Sequence, residues 1–234
     1  MRSIAKSQTP NCLQTFIDGQ LAIQPEPVNL TYKDFRAKAD LLAILTAEQF
    51  GLCGYTGAPV DKRISNFKSP TGPATFRNHI EHLKCQATCK KELADCGGEF
   101  GRDLCDDLNY FNMIAAVEVR GAENERFGAV AKKDLPLLVL PTQEKCDEYF
   151  KFREVDGGIE SWNKDAAQSI SVLRLDHDTL IGWRKAAIDV WLDPEVIQTR
   201  QDLEEVAQAM EQPVEGRLPE FAFVIGSITK EYLR

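Results

Sequence analysis

Between Gly51 and Pro73 the chain carries Gly51, Gly54, Gly57, Pro59, Pro70, Gly72 and Pro73. Glycine admits positive φ and proline lacks an amide donor, so no regular element runs through this stretch. It separates a helical beginning from a centre that contains strands. Upstream, Thr31 is a good N-cap for a helix to about Gln49, with Phe35, Leu42, Leu45 and Gln49 on one side and Gly51 as its stop. Residues 1–30, with Pro10, Pro25 and Pro27, read as irregular apart from a short helix or strand near Leu13–Ile17. Downstream, Phe76–His82 reads as a strand, Leu83–Cys105 as a polar, cysteine-rich insertion, and Tyr110–Val119 as a second strand turning at Gly121.

Past this centre, Leu135–Leu140 is an apolar run closed by Pro141, and Gly157-Gly158 signals a hairpin turn after Tyr149–Phe152. Three helices are predicted next: Lys164–Leu173, a helix capped by Asp176 and running to about Trp191, and Thr199–Gln212. The last carries the stripe Leu203, Val206, Ala207 and Met210, and Pro213 stops it. Phe221–Ile225 reads as buried, as a strand or a short helix. The pattern predicts an α+β fold: a small mixed centre in a mainly helical chain, with residues 1–160 and 161–234 as its two regions. No apolar run approaches the roughly 20 residues of a membrane span, and Met1–Lys6 has no apolar signal segment, so the expected location is the cytoplasm.

The chemistry concentrates in His79-Ile80-Glu81-His82, which holds two of the three histidines. Phosphodiester cleavage needs a base to activate water and a cation to stabilise the leaving oxygen. An acid directly before a histidine supplies both, provided a bend aims the two side chains at one phosphate. Adjacent residues on a flat strand face opposite ways, so the motif belongs at a strand end. The net charge of −8 opposes binding to nucleic acid, yet it is unevenly spread. From Asp61 to Lys91 there are seven basic residues and two acids, whereas Asp193–Glu220 holds eight acids against Arg200 and Arg217. The basic run thus surrounds the motif and the acidic surplus lies toward the C-terminus.

Asp106-Asp107-Leu108-Asn109-Tyr110-Phe111-Asn112-Met113-Ile114 follows, an aromatic pair and an asparagine leading into an apolar strand. With this segment the chain resembles the HNH nuclease subunits of Septu-type and retron-associated antiphage systems, the PtuB family. The resemblance is carried, in order, by Met1-Arg2 with Lys6 and Pro10, by Glu48–Tyr55, by His79–Lys84 and by Asp107–Met113. It continues through Phe127–Lys132, Cys146–Phe150 with Gly158-Ile159, and Ser171–His177 with Leu180 and Arg184. It implies a ββα-metal (HNH) centre in a mainly helical domain that cleaves DNA, RNA not being excluded. It further implies an ABC/SMC-like ATPase partner of the PtuA kind. In that reading His82 is the general base, Glu81 ligates one Mg²⁺ or Mn²⁺, His79 supports it, and Asn112 fixes the loop that presents His82. The alternative is a non-catalytic adaptor on the same scaffold.

Two departures stand out. The third HNH element ordinarily places a His or Asn ligand on a short helix before a lysine, but Gly128–Ala131 before Lys132 has none. Asn124 is the nearest replacement, with Glu123 and Glu125 beside it. Lys84, Lys132 and Lys133 are candidate phosphate contacts, solvated surface being the alternative for the last two. The knuckle cysteines of many relatives are also missing: Cys53-Gly54-Tyr55-Thr56 has one cysteine and Ala115–Glu118 none. Cys85, Cys89, Cys96 and Cys105 offer four thiolates for a structural zinc, but in an irregular spacing, so free buried cysteines are the expected state. Seven cysteines, an odd number, argue against a disulfide framework.

Overall fold

The computed structural model describes residues 1–23, 30–60, 75–95, 105–120 and 122–234. Two helices open the chain, α1 (Asn11–Ile23) and α2 (Lys38–Glu48). The centre is an antiparallel pair, β1 (Thr75–His82) with β2 (Met113–Arg120), in which His79 pairs with Ala116 and His82 with Met113. Between the strands lies α3 (Gln86–Asp95), and after them the single turn α4 (Ala129–Lys132) packs against β2. A small hairpin of β3 (Lys151–Phe152) and β4 (Ile159–Glu160) leads to α5 (Lys164–Leu173), α6 (Asp178–Trp191), α7 (Arg200–Glu211) and α8 (Ala222–Leu233). The architecture is α+β. One hydrophobic core runs from Met1 and Leu13 through Leu45, Ile114 and Phe127 to Leu173, Leu180, Val224 and Ile225, across the boundary at residue 160.

Several elements differ from the sequence reading. The first thirty residues hold a full helix, α1, which buries Leu13 and Ile17. The next helix begins at Lys38 rather than Thr31, because residues 32–34 form a turn in which the Thr31 amide and hydroxyl both donate to Asp34 Oδ2 and the Asp34 amide donates to the Thr31 carbonyl. That turn lets Tyr32 and Phe35 both reach the core. In α2 the fully buried leucines are Leu41 and Leu45, with Leu42 only half-buried. The cysteine-rich insertion contains α3, whose inner face is Cys89 and Leu93. β2 begins at Met113, since Tyr110–Asn112 is a 3₁₀ turn capped by Asn109, whose side chain accepts from the Phe111 amide. The cap of α6 is His177, not Asp176: its Nδ1 accepts from the Thr179 amide at 3.2 Å. Phe221–Ile225 is the start of α8. The predicted turn at Gly121 lies outside the described residues, as do Cys96 and the basic Lys62, Arg63 and Lys68.

Gly157 sits at φ +75° where the β3–β4 hairpin meets α6. A Cβ there would stand 2.5 Å from the Ile181 carbonyl oxygen and 2.7 Å from the Lys185 amide, so only glycine allows the hairpin this close. Among the described residues no helix is long and apolar enough to cross a membrane.

Candidate active site

β1 ends at His82, and there the chain bends. Leu83 donates its amide to the Asn112 carbonyl at 2.9 Å, and the Asn112 side chain takes the next residue from both sides. Its Oδ1 accepts from the Lys84 amide at 2.7 Å, while Nδ2 donates to the Lys84 carbonyl at 3.1 Å and to the Asp106 carbonyl at 2.9 Å. A buried amide with so many backbone partners staples two loops, the one after β1 and the one before β2.

The His82 ring is buried at 5% exposure and held on three sides. Nε2 lies 2.9 Å from the Asp107 carbonyl, which only accepts, so Nε2 carries the proton and Nδ1 is the free base. Gln86 Nε2 donates to Nδ1 at 3.3 Å. Tyr32 meets the ring edge to face, centroids 4.6 Å apart. Burial depresses the His82 pKa below its ordinary 6.5, aided by the Lys132 charge and opposed by the Asp107 carbonyl and the Glu81 and Asp107 charges.

Glu81 and His79 come together, with His79 Nε2 at 3.4 Å from Glu81 Oε2. The other carboxylate oxygen, Oε1, has the Lys132 ammonium at 2.9 Å, off the hydrogen-bonding direction, so this buried atom has an ionic neighbour but no hydrogen bond. His79 Nδ1 and Tyr55 Oη are likewise buried without a hydrogen-bond partner. The Glu81 charge contributes to raising the Tyr55 pKa, though burial is the main cause. Such undersatisfied groups suit a hard cation. Mg²⁺ and Mn²⁺ are held by as little as one carboxylate, with water and phosphate oxygens completing the shell. Glu81 and His79 therefore fit as partial ligands, with Lys132 as a competing cation. Among the described residues, no three His, Cys, Asp or Glu side chains form a metal-binding group.

The fold gives the remaining positions partners of their own. Asn124 is exposed, and its backbone carbonyl lies 2.8 Å from His177 Nε2. Lys132 is 1% exposed, its ammonium also donating to the His82 carbonyl at 3.1 Å, so it is neither solvated surface nor free for phosphate. Lys84 is bound between Asp106, at 2.5 Å, and Glu92, tying α3 to the following loop. Lys133 is exposed and paired with Glu123 at 2.9 Å. Cys89 and Cys105 pack with Leu93 in a small buried cluster, and burial pushes their thiols up to about 12 and about 11, as protonated thiols. The six described cysteines are all free.

The sequence reading did not identify Asp107, Gln86 or Tyr32. Asp107 is fully buried and orients His82 through its carbonyl while its Oδ1 accepts from the Tyr32 amide at 3.2 Å. Gln86 was detectable in principle: it lies four residues after His82, at the start of α3. Nothing in the sequence pointed to Tyr32. No protein-family model matches the chain, and no curated protein matches it at a significant level.

Proposed function

We propose that the chain is a metal-dependent endonuclease of HNH type that cleaves DNA phosphodiesters as the effector of an antiphage complex. The observation that carries this reading is the fixed tautomer of His82: Nε2–H is spent on the Asp107 carbonyl, and Nδ1 is left basic, facing the Gln86 side-chain amide. On this reading β1, β2 and α4 form the ββα-metal centre.

His82 Nδ1 takes a proton from water as the water oxygen attacks phosphorus, and the bond to the leaving oxygen breaks, that oxygen gaining a proton from solvent. The attacking water replaces the Gln86 amide at Nδ1. Asn112 keeps the loop after His82 in register, and Asp107 keeps the imidazole from turning. Glu81, with His79, would hold Mg²⁺ or Mn²⁺, which when bound stabilises the charge on the leaving oxygen. The depressed His82 pKa supports the base role, because the ring is neutral at physiological pH. The resemblance to the antiphage nucleases adds the ABC/SMC-like ATPase as the partner, and the acidic surplus between Asp193 and Glu220 makes the C-terminal helices the region for docking it.

A plasmid-nicking assay in Mg²⁺ and Mn²⁺ tests the proposal. His82→Ala is expected to abolish cleavage and leave the thermal transition in place; undiminished cutting by that variant sinks the assignment. The Lys132–Glu81 ion pair and the lack of a third ligand among the described residues favour a second reading, a non-catalytic adaptor. Calorimetric titration separates the two, since an adaptor shows no Mn²⁺ binding that Glu81→Gln removes.

A further inference from the structure

Lys84, Lys132 and Lys133 are all neutralised within the fold. A chain of net charge −8 must therefore meet a polyanion with other cations. The segment 31–38, Thr-Tyr-Lys-Asp-Phe-Arg-Ala-Lys, supplies them at the site itself. It is fastened there by the Tyr32 amide on Asp107 Oδ1, by Phe35 in the core, and by the Tyr32 ring against His82. Its single acid, Asp34, is turned back onto Thr31 at 3.1 Å. Lys33 and Arg36 are exposed, and neither they nor Lys38 has an ion-pair partner among the described residues. Asp40, the next acid along, makes no ion pair with Lys38.

Lys38 is the best placed. Its ammonium lies 4.5 Å above the Tyr32 ring, and the same ring meets His82 at 4.6 Å, so one aromatic side chain separates a cation from the base. A contact with a ring face leaves the ammonium charge uncompensated and able to accept an anion. We propose that Lys38, with Lys33 and Arg36, forms the wall that contacts the DNA phosphate backbone, and that Tyr32 is a positioning residue for His82. The proposal rests on the nuclease reading and names how that site takes its substrate.

The test is anisotropy of a short labelled DNA duplex in EDTA, so that nothing is cut, across a salt series. Lys33→Gln with Lys38→Gln is expected to weaken binding about tenfold and to lower the slope of log affinity against log salt by about two. The same charge removed at two other exposed positions, Lys145→Gln with Lys164→Gln, controls for net charge. If both pairs behave alike while the wild-type chain cuts plasmid in a His82-dependent way, the wall is wrong and the nuclease reading stands. If the wild-type chain neither binds nor cuts, both fall. For Tyr32, substitution by Ala is expected to lower kcat at unchanged KM, with Tyr32→Phe restoring it. A Phe variant that loses activity while keeping its thermal transition, or an unaffected Ala variant, overturns the positioning role.

Discussion

At the scale of single residues, Lys132 and Glu81 are interdependent. Lys132 is almost fully buried and Glu81 largely so, and each is the other's nearest opposite charge. Removing one partner of a buried pair strands a charge in a poorly solvating interior, at a cost of about 3–5 kcal/mol. Lys132→Met is therefore expected to lower stability in urea denaturation by a few kcal/mol, and Glu81→Gln in the same chain to recover part of the loss. Additive losses would show that the pair is not coupled. His82 adds a pH dependence. Its folded pKa lies below the ordinary 6.5, so on acidification the unfolded chain takes up the proton first. Stability is then unaffected by this group above about pH 6.5 and falls as pH drops through 6.5 toward the folded pKa. His82→Gln is expected to flatten that part of the stability–pH curve.

At the scale of elements, the turns decide where side chains go, and they are what the sequence made hardest to read. The strand and helix periodicities placed β1, α5 and α7 within a residue or two, and the position of His82 at a strand end followed from adjacent residues facing opposite ways. The start of α2 did not follow, because Thr31, a residue type that also caps helices, here donates its hydroxyl to the Asp34 carboxylate and closes a turn. What selects the turn is distant in sequence: Asp107 accepting the Tyr32 amide. The surroundings of Lys84 and Lys132 were illegible for a similar reason, since the carboxylates that consume them come from other elements. The β3–β4 hairpin gives this scale its prediction. Gly157→Ala forces a Cβ into the backbone of α6 at positive φ, and is expected to cost about 1–3 kcal/mol. Hydrogen exchange should quicken at the first two turns of α6 before it does at α7. Uniform quickening would mean that the hairpin does not anchor that helix locally.

At the scale of the whole molecule, the acidic C-terminal region and the site-bearing region share backbone hydrogen bonds as well as a core. Leu218 donates to the Phe50 carbonyl at 3.1 Å, Phe221 to Gly57 at 3.0 Å, and Gly128 to Leu173 at 2.7 Å. Arg184, buried in α6, donates to the Gly157 and Leu175 carbonyls at 2.7 Å each. Leu173, Leu180, Val224 and Ile225 are fully buried in the common core. Each such side chain contributes about 1.5–3 kcal/mol when removed from water, and a domain's whole net stability is about 5–15 kcal/mol. Losing these four alone therefore consumes most of it. A fragment of residues 1–160 is expected to be unfolded, with far-UV circular dichroism of a coil. The full chain should melt in one transition. Trp162, Trp183 and Trp191 all lie beyond residue 160, Trp183 with its ring 5.6 Å from that of Phe127, so tryptophan fluorescence follows the C-terminal region and its contact with the first, while circular dichroism follows both throughout. Coincident urea midpoints by the two probes are the expected result. Separated midpoints would instead mean that the helices can leave the centre that carries His82 without unfolding it, and that a partner docked on them, in the proposed reading, need not reach His82 through the core.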